Sequence, residues 1–284
     1  MQSTIQSILS RDQTKLESIL KLGLASARIE IQCLLEHVLS VNRAYLFAHP
    51  EHILNITENN YYLVLLQRRM SGEPIAYILG NREFFGLNLF ITHDTLIPRP
   101  ETELLVELAL ERSSVSKQLI LDLGTGSGAI ALAIAHYRPE ADIFACDFSS
   151  SALTVAQSNA LRLGITNVHF VESDWFSSFC GHRFDIIVSN PPYIAIDDPH
   201  LSQGDVRYEP NSALVSGKDG LDDISQIILQ SGAHLNPGGW LLLEHGYDQA
   251  QRVRELLQNS GFESVFSAKD ISGIERCSGG QFRK

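Results

Sequence analysis

The sequence predicts an α/β fold in which a mostly parallel, seven-stranded sheet is covered by helices and preceded by a small N-terminal helical bundle. Three observations carry this. From Gln118 onward, short apolar runs alternate with helical stretches, the pattern of βαβ units. The first of those runs leads straight into Gly124-Thr125-Gly126-Ser127-Gly128, a strand-to-helix turn whose glycines let backbone approach a ligand and expose amide donors. Residues Ile5 to about Met70 instead repeat apolar positions at helical spacing, as in Ile19, Leu20, Leu22 and Leu24, then Ile31, Leu34, Leu35 and Val38.

Taken in order, the helical bundle ends where Gly72, Pro74 and Gly80 punctuate the chain. Phe84 to Ile91 has the aromatic, β-branched composition of a short hairpin. Pro98 and Pro100 precede Glu101, Glu103 and an apolar-periodic run to Leu110, which reads as a helix with acidic residues in its first turn. Strands are expected at Leu119–Leu123, Asp142–Cys146, Val168–Val171, Phe184–Ser189 and Trp240–Glu244, with a final pair at Phe262–Ala268 and Cys277–Phe282. In such a sheet, ligands belong at the carboxyl ends of the strands. The domain expectation is a helical docking domain over 1–82, a hairpin linker over 83–98 and a catalytic domain over 99–284.

At 284 residues, with 44% hydrophobic and 19% charged residues, the chain has apolar material for a core plus an attached domain. Its net charge of −11 argues against a broad phosphate-tracking surface. Residues 1–80 hold seven Lys/Arg and seven Asp/Glu, so the whole acidic excess lies beyond them. Cys33, Cys146, Cys180 and Cys277 are scattered, giving neither a disulfide framework nor a zinc site. No apolar run reaches membrane-spanning length and no signal segment opens the chain. A cytoplasmic protein is expected, with no metal and no membrane association, acting as a monomer.

The glycine loop alone is ambiguous, because Gly124, Gly126 and Ala129 also satisfy a dinucleotide fingerprint. Asp147 closes the second strand about 20 residues later, where a carboxylate accepts from both hydroxyls of a ribose. At the end of the third strand, Asp174 is placed to bond an adenine amino group and Trp175 to wall the ring or a methionyl chain. After the fourth strand comes Asn190-Pro191-Pro192-Tyr193. Proline pushes its predecessor out of the helical region, so Asn190 is extended and rigid, and neither proline offers an N–H. The local backbone therefore presents carbonyl acceptors, for which an N–H₂ group is the matching ligand. With the Asn190 side-chain oxygen and the Pro191 carbonyl accepting its two hydrogens, a planar nitrogen is held facing the sulfonium methyl of S-adenosylmethionine. Tyr193 supplies a surface on which the planar group stacks. A bare strand-to-loop turn is the plainer reading of the tetrapeptide, and its place downstream of the glycine loop and Asp147 favours chemistry.

The chain resembles the release-factor glutamine methyltransferases of the HemK/PrmC family. The resemblance runs over nearly the whole chain: residues 72–80, Ile97–Glu103, Asp122–Gly128, Ser173–Trp175, Asn190–Tyr193, residues 204–210 and Glu244–Gly246. It implies a Rossmann-like class I methyltransferase that methylates N5 of a glutamine in the Gly-Gly-Gln motif of peptide chain release factors. The cofactor contacts it implies are Gly124, Thr125, Gly126, Ser127, Gly128, Asp147, Asp174, Trp175 and Asn190, with the substrate amide held by Asn190 to Tyr193. Arg99 to Glu103 would line the cleft, and Glu244 and His245 are read as a strand end without a role. One departure is the chain's own Gly279-Gly280-Gln281. Composition alone gives such a triplet in roughly one chain of this length in twenty, so it is read as coincidence ahead of a tail that enters a neighbour's active site. The competing readings are methylation of an exocyclic amine on a nucleic-acid base, which usually needs a basic recognition surface, a non-catalytic cofactor-binding module, and a nicotinamide-dependent reductase.

Overall fold

The hydroxyl of Thr4 accepts from the Ser7 amide and caps the first helix, α1 (Ile5–Leu20). It is followed by α2 (Leu24–Leu39), α3 (Arg43–Ala48) and α4 (Ile56–Met70), the last opened by a reciprocal capping box between Asn55 and Glu58. The computed structural model describes residues 4–115 and 117–283. Ile5, Ile8, Leu16, Ile31, Leu34, Leu35 and Tyr62 are fully buried between these helices. The bundle continues past Met70, where the helical spacing of apolar residues stops. Pro74 starts one further turn, α5 (Ile75–Leu79), which Gly80 closes in the left-handed conformation. Proline at a helix start lacks only an amide that would be unpaired there anyway, so what reads as a breaker is here an initiator.

The chain divides into two units. One is built from the chain up to Gly80 together with Ser202–Tyr208, the other from Asn81–Leu201 and the chain from Glu209 onward. Ser202–Tyr208 joins the helices through Arg69, which is 2% exposed. Its guanidinium donates to Glu30 at 2.7 and 3.1 Å, to Asp205 at 3.0 Å and to the Glu73 carbonyl at 2.9 Å. The Tyr208 hydroxyl donates to the Ser71 carbonyl.

The larger unit begins with the hairpin β1 (Asn81–Phe84) and β2 (Leu87–Phe90), turned at Phe85-Gly86. Its first strand starts earlier than composition suggests, because Asn81, Arg82 and Glu83 are polar and carry no strand signal. Pro100–Thr102 forms a single 3₁₀ turn ahead of α6 (Glu103–Arg112). Then come β3 (Leu119–Leu123), α7 (Ala129–Tyr137), β4 (Asp142–Asp147), α8 (Ser150–Leu163), β5 (Val168–Glu172) and β6 (Phe184–Ser189). The rest is α9 (Asp222–Ser231), β7 (Leu235–Glu244), α10 (Ala250–Asn259), β8 (Phe262–Lys269) and β9 (Glu275–Phe282).

The seven strands lie in the order β5-β4-β3-β6-β7-β9-β8, parallel except for β9, which is antiparallel to both neighbours. This is the mostly parallel seven-stranded sheet expected. The first five strands run as β5-β4-β3-β6-β7, so the winding reverses between β3 and β6 and a crevice opens at their carboxyl ends. β7 starts at Leu235, five residues before the expected Trp240. Its register jumps from Phe184↔Leu235 to Ile186↔Trp240, and Asn236 to Gly239 bulge between. Gly279 and Gly280 pair with Leu242 and Leu241 of β7, and a Cβ on Gly279 would lie 2.6 Å from Leu242 and 2.7 Å from the Leu241 carbonyl. The Gln281 amide donates to the Gly238 carbonyl at 2.9 Å. Sheet packing thus accounts for the Gly-Gly-Gln triplet. No helix among the described residues is long and apolar enough to cross a membrane.

Candidate active site

The ends of three adjacent strands are locked to one level. The Thr125 amide donates to the Cys146 carbonyl at 2.8 Å, and the Ser189 hydroxyl to the Leu123 carbonyl at 2.7 Å. At that level a cavity of about 530 Å³ opens, within the usual range for small-molecule sites. It is lined by Gly124 to Ser127, Asp147, Asp174, Trp175, Asn190 and Pro192, among others. All of these were picked out in the sequence, and the fold brings them to one place.

In the glycine loop, Gly124, Gly126 and Gly128 all have positive φ, which side chains disfavour. Gly128 faces α7 and α8, where a Cβ would come within 3.0 Å of Leu132 and 3.2 Å of Ala156; it does not line the cavity. Below the loop, Asp122 is fully buried and takes hydrogen bonds from the Thr125 hydroxyl at 2.6 Å and the Ala131 amide at 3.2 Å. Burial outweighs those two bonds and pushes its pKa up to about 7. Asp147 accepts from the Gly126 amide at 2.8 Å and the Ser149 amide at 2.9 Å, with burial raising its pKa. The buried Asn159 of α8 binds the hairpin and the loop together, bonding both polar groups of Phe90 and the Ser127 carbonyl.

Asn190 lies at the end of β6, and its Nδ2 donates to the Thr102 hydroxyl at 3.2 Å. Asn190 itself lines the cavity. Pro191 is buried and, like Tyr193, is absent from the cavity wall. Tyr193 departs from the exposed stacking surface expected of it. Its ring packs on the sheet core, its hydroxyl donates to Glu244 at 3.3 Å, and its carbonyl accepts from Gln249 at 3.0 Å. These bonds turn the side chain inward.

The sequence reading named no role for Glu244, yet it stands behind this wall at 2% exposure. Burial pushes its pKa up to about 7 despite the hydrogen bond from the Tyr193 hydroxyl. His245 is buried between the Gly246 carbonyl and the Ser278 hydroxyl, and burial lowers its pKa, which suits a structural residue. Within Arg99–Glu103, Arg99 and Thr102 line the cavity. The carboxylate of Glu209 accepts from Arg99 and from the Ile97 amide. Glu103 turns instead to the Phe85 amide. No local motif marks Phe148, 78% exposed at the cavity wall, or the returning loop residues Ser212, Ala213 and Val215.

Residues 100–203 match the methyltransferase small domain and residues 14–80 the PrmC N-terminal domain. The fold matches that of solved methyltransferases. One from Pyrococcus furiosus shares 18% identity at a TM-score of 0.54, covering 77% of this chain and 98% of that one. The hMettl16 catalytic domain shares 16% at 0.57, covering 86% and 93%. The protein is a Rossmann-like class I methyltransferase, with S-adenosylmethionine as methyl donor. The cavity suits that donor, having carboxylate acceptors in Asp147 and Asp174, flat rings in Phe148 and Trp175, and an open glycine turn.

Curated relatives narrow the class. A release factor glutamine methyltransferase of Pseudomonas aeruginosa is 50% identical over 257 residues, 90% of this chain and 93% of the relative. Those of Salmonella typhimurium and Escherichia coli are 49% and 48% identical over the same shares. The chain belongs to the release factor glutamine methyltransferase family.

Proposed function

We propose that this enzyme methylates the side-chain amide nitrogen (N5) of the glutamine in the Gly-Gly-Gln motif of peptide chain release factors, in the cytoplasm and in support of translation termination. The observation that carries the reaction type is Asn190, whose Nδ2 is engaged by Thr102 while its side chain lines the cavity. That leaves an amide oxygen as the acceptor available to an incoming N–H₂. The release-factor glutamine is supported by the relatives' names and by a charge balance that disfavours phosphate tracking.

S-adenosylmethionine, when bound, supplies an electrophilic methyl on its sulfonium. In our reading Gly124 to Ser127, Asp147, Asp174, Trp175 and Asn190 hold it, with Gly128 serving the turn behind them against α7 and α8 and Asp147 accepting from the ribose hydroxyls. The Pro191 carbonyl, expected from the sequence to take one hydrogen of the substrate amide, belongs to a residue buried off the cavity wall. Asn190 Oδ1 takes a hydrogen of that amide. This orients the nitrogen and stabilises the positive charge that grows on it. Pro192 forms part of the wall, and Tyr193 serves the substrate by fixing the loop from behind. Residues 1–82 dock the release factor, 83–98 link, and 99–284 carry out catalysis. No membrane or nucleic-acid partner is required, and the enzyme works as a monomer.

Incubation with methyl-labelled cofactor and either a purified release factor or nucleic acid tests this. Label is expected on the Gly-Gly-Gln glutamine by peptide mapping; label only in nucleic acid overturns the reading. Asn190→Ala is expected to lower kcat by about 100-fold or more while cofactor affinity changes only a few-fold. Wild-type turnover in that variant removes Asn190 from the mechanism.

A further inference from the structure

We infer that Gln249, the residue just ahead of α10, is a positioning residue that holds the Asn190–Tyr193 loop in place at the cavity through the Tyr193 carbonyl. The inference rests on the role given to Asn190 above. Pro191 and Pro192 have no amide hydrogen, so the loop backbone has little with which to anchor itself. It is fixed at its two ends. Before it, Ser189 pairs with Leu123 of β3 and Leu243 of β7. Beyond it, the Ile194 amide donates to the Leu214 carbonyl at 2.9 Å. Between these points, the Tyr193 carbonyl accepts from Gln249 Nε2 at 3.0 Å.

Gln249 is 7% exposed, and among the described residues its side chain meets only backbone groups, whose donor or acceptor character is fixed. Its Oε1 accepts from the Gly246 amide at 2.8 Å. Its Nε2 donates to the Tyr193 carbonyl and lies 3.3 Å from the carbonyls of Asp219 and Gly220. Such partners admit a single orientation of the amide. Turned over, Oε1 would face three carbonyls and the NH₂ would face an N–H. A carboxamide of this length therefore matches the site, and an apolar side chain would fill it while leaving the Tyr193 carbonyl without its donor.

Gln249 thus ties together the loop after β6, the turn after β7 and the segment before α9. The fit is close. Gly220 has φ +76°, and a Cβ there would lie 2.2 Å from the Tyr193 carbonyl oxygen and 2.7 Å from Gln249 Nε2. The next residues continue the same wall, because Ile194 bridges to Val215 and its carbonyl accepts from the Ser216 amide at 2.9 Å. Val215 and Pro192 line the cavity. Gly124 to Ser127, Asp147 and Asp174 instead follow β3, β4 and β5, and Gln249 bonds none of them. Its influence falls on the side of the cavity that takes the methyl acceptor.

The test uses the full-length protein with a purified release factor and S-adenosylmethionine. Gln249→Glu keeps the volume and the acceptor for Gly246 but turns oxygen toward the carbonyls, and Gln249→Met keeps the length alone. We expect each to lower kcat about 10- to 100-fold, the cost of a small displacement at a reacting centre, with cofactor Kd by calorimetry within a few-fold of wild type. Asn190→Ala/Gln249→Glu is no slower than Asn190→Ala, because Gln249 acts through the loop that carries Asn190. Wild-type kcat in both Gln249 variants alongside a defective Asn190→Ala overturns this inference and leaves the Asn190 role standing. So does a cofactor Kd that weakens in step with kcat, or a double variant whose losses multiply, since either marks a general structural effect. Wild-type turnover in Asn190→Ala removes both. If the Gln249 variants do not fold, Gly220→Ala, which crowds the same carbonyl, is read by the same kcat and Kd. Failure of all three to fold assigns the contact to stability and also overturns the inference.

Discussion

Asp122 on β3 and Glu244 at the end of β7 are two buried carboxyls near the site, and burial pushes both up to about 7. Their folded pKa lies above the ordinary carboxylate range, so between about pH 4 and 7 the folded state binds more protons than the unfolded chain. The stability these groups contribute is full below that window and is lost as pH rises through 7. Around Glu244 the other titratable or charged groups are Tyr193, Arg276, Arg99, Glu101 and Cys277, of which Arg276 favours the ionised form and Glu101 opposes it. Denaturant midpoints measured from pH 5 to pH 8 are expected to fall. Glu244→Gln and Asp122→Asn should each flatten that slope, and an unchanged slope in both would refute the assignment. At this scale the sequence was partly legible. Asn190, Asp147 and the glycine loop announce themselves because each has a local conformational or chemical reason. Glu244 does not, since its bond to the Tyr193 hydroxyl joins residues far apart in the chain.

Among the elements, the strands of the large sheet were legible because buried parallel strands are short, continuous apolar runs between turn residues. What escaped were segments whose residues do not look like what they become. β1 opens on Asn81-Arg82-Glu83, α5 follows a proline, and the start of β7 is cut off by Pro237-Gly238-Gly239. The Gly-Gly-Gln triplet was the reverse case, a motif in sequence that is a packing solution in β9. Gly279→Ala would place a methyl 2.6 Å from Leu242 and 2.7 Å from the Leu241 carbonyl. Overpacking of this kind costs about 1–3 kcal/mol. A matching shift of the unfolding midpoint is expected, and wild-type stability would show that the β7–β9 contact has slack. Gln281, spent on the Gly238 carbonyl, is expected to carry no methyl in intact-mass spectra after incubation with cofactor.

For the whole molecule, the least legible feature was the membership of Ser202–Tyr208. Composition and periodicity assign everything past residue 98 to one catalytic block, because neither says that seven residues beginning 122 positions downstream of Gly80 belong with the helices. Arg69 is the side chain that makes it so, with Glu30 and Asp205 on its guanidinium. Arg69→Met leaves Glu30 and Asp205, 15% and 35% exposed, without their cation, and the loss of hydrogen bonds to charged groups costs roughly 1.5–3 kcal/mol. The helical unit should lose that much stability, and limited proteolysis should cut first within Ser202–Tyr208. Cleavage there at the wild-type rate would mean that the segment is held by other contacts.

The same excursion bears on how such a protein can be taken apart or recombined. The loop that leaves Tyr193 enters the helical unit at Ser202 and returns at Glu209 before supplying Ser212, Ala213 and Val215 to the cavity wall. A truncation or graft made at Gly80 therefore separates the helices from a segment that belongs to them. Exchange of the helical unit between homologues would have to carry residues 202–208 along with it, so in heredity as in the laboratory the two halves are expected to travel as a sewn pair.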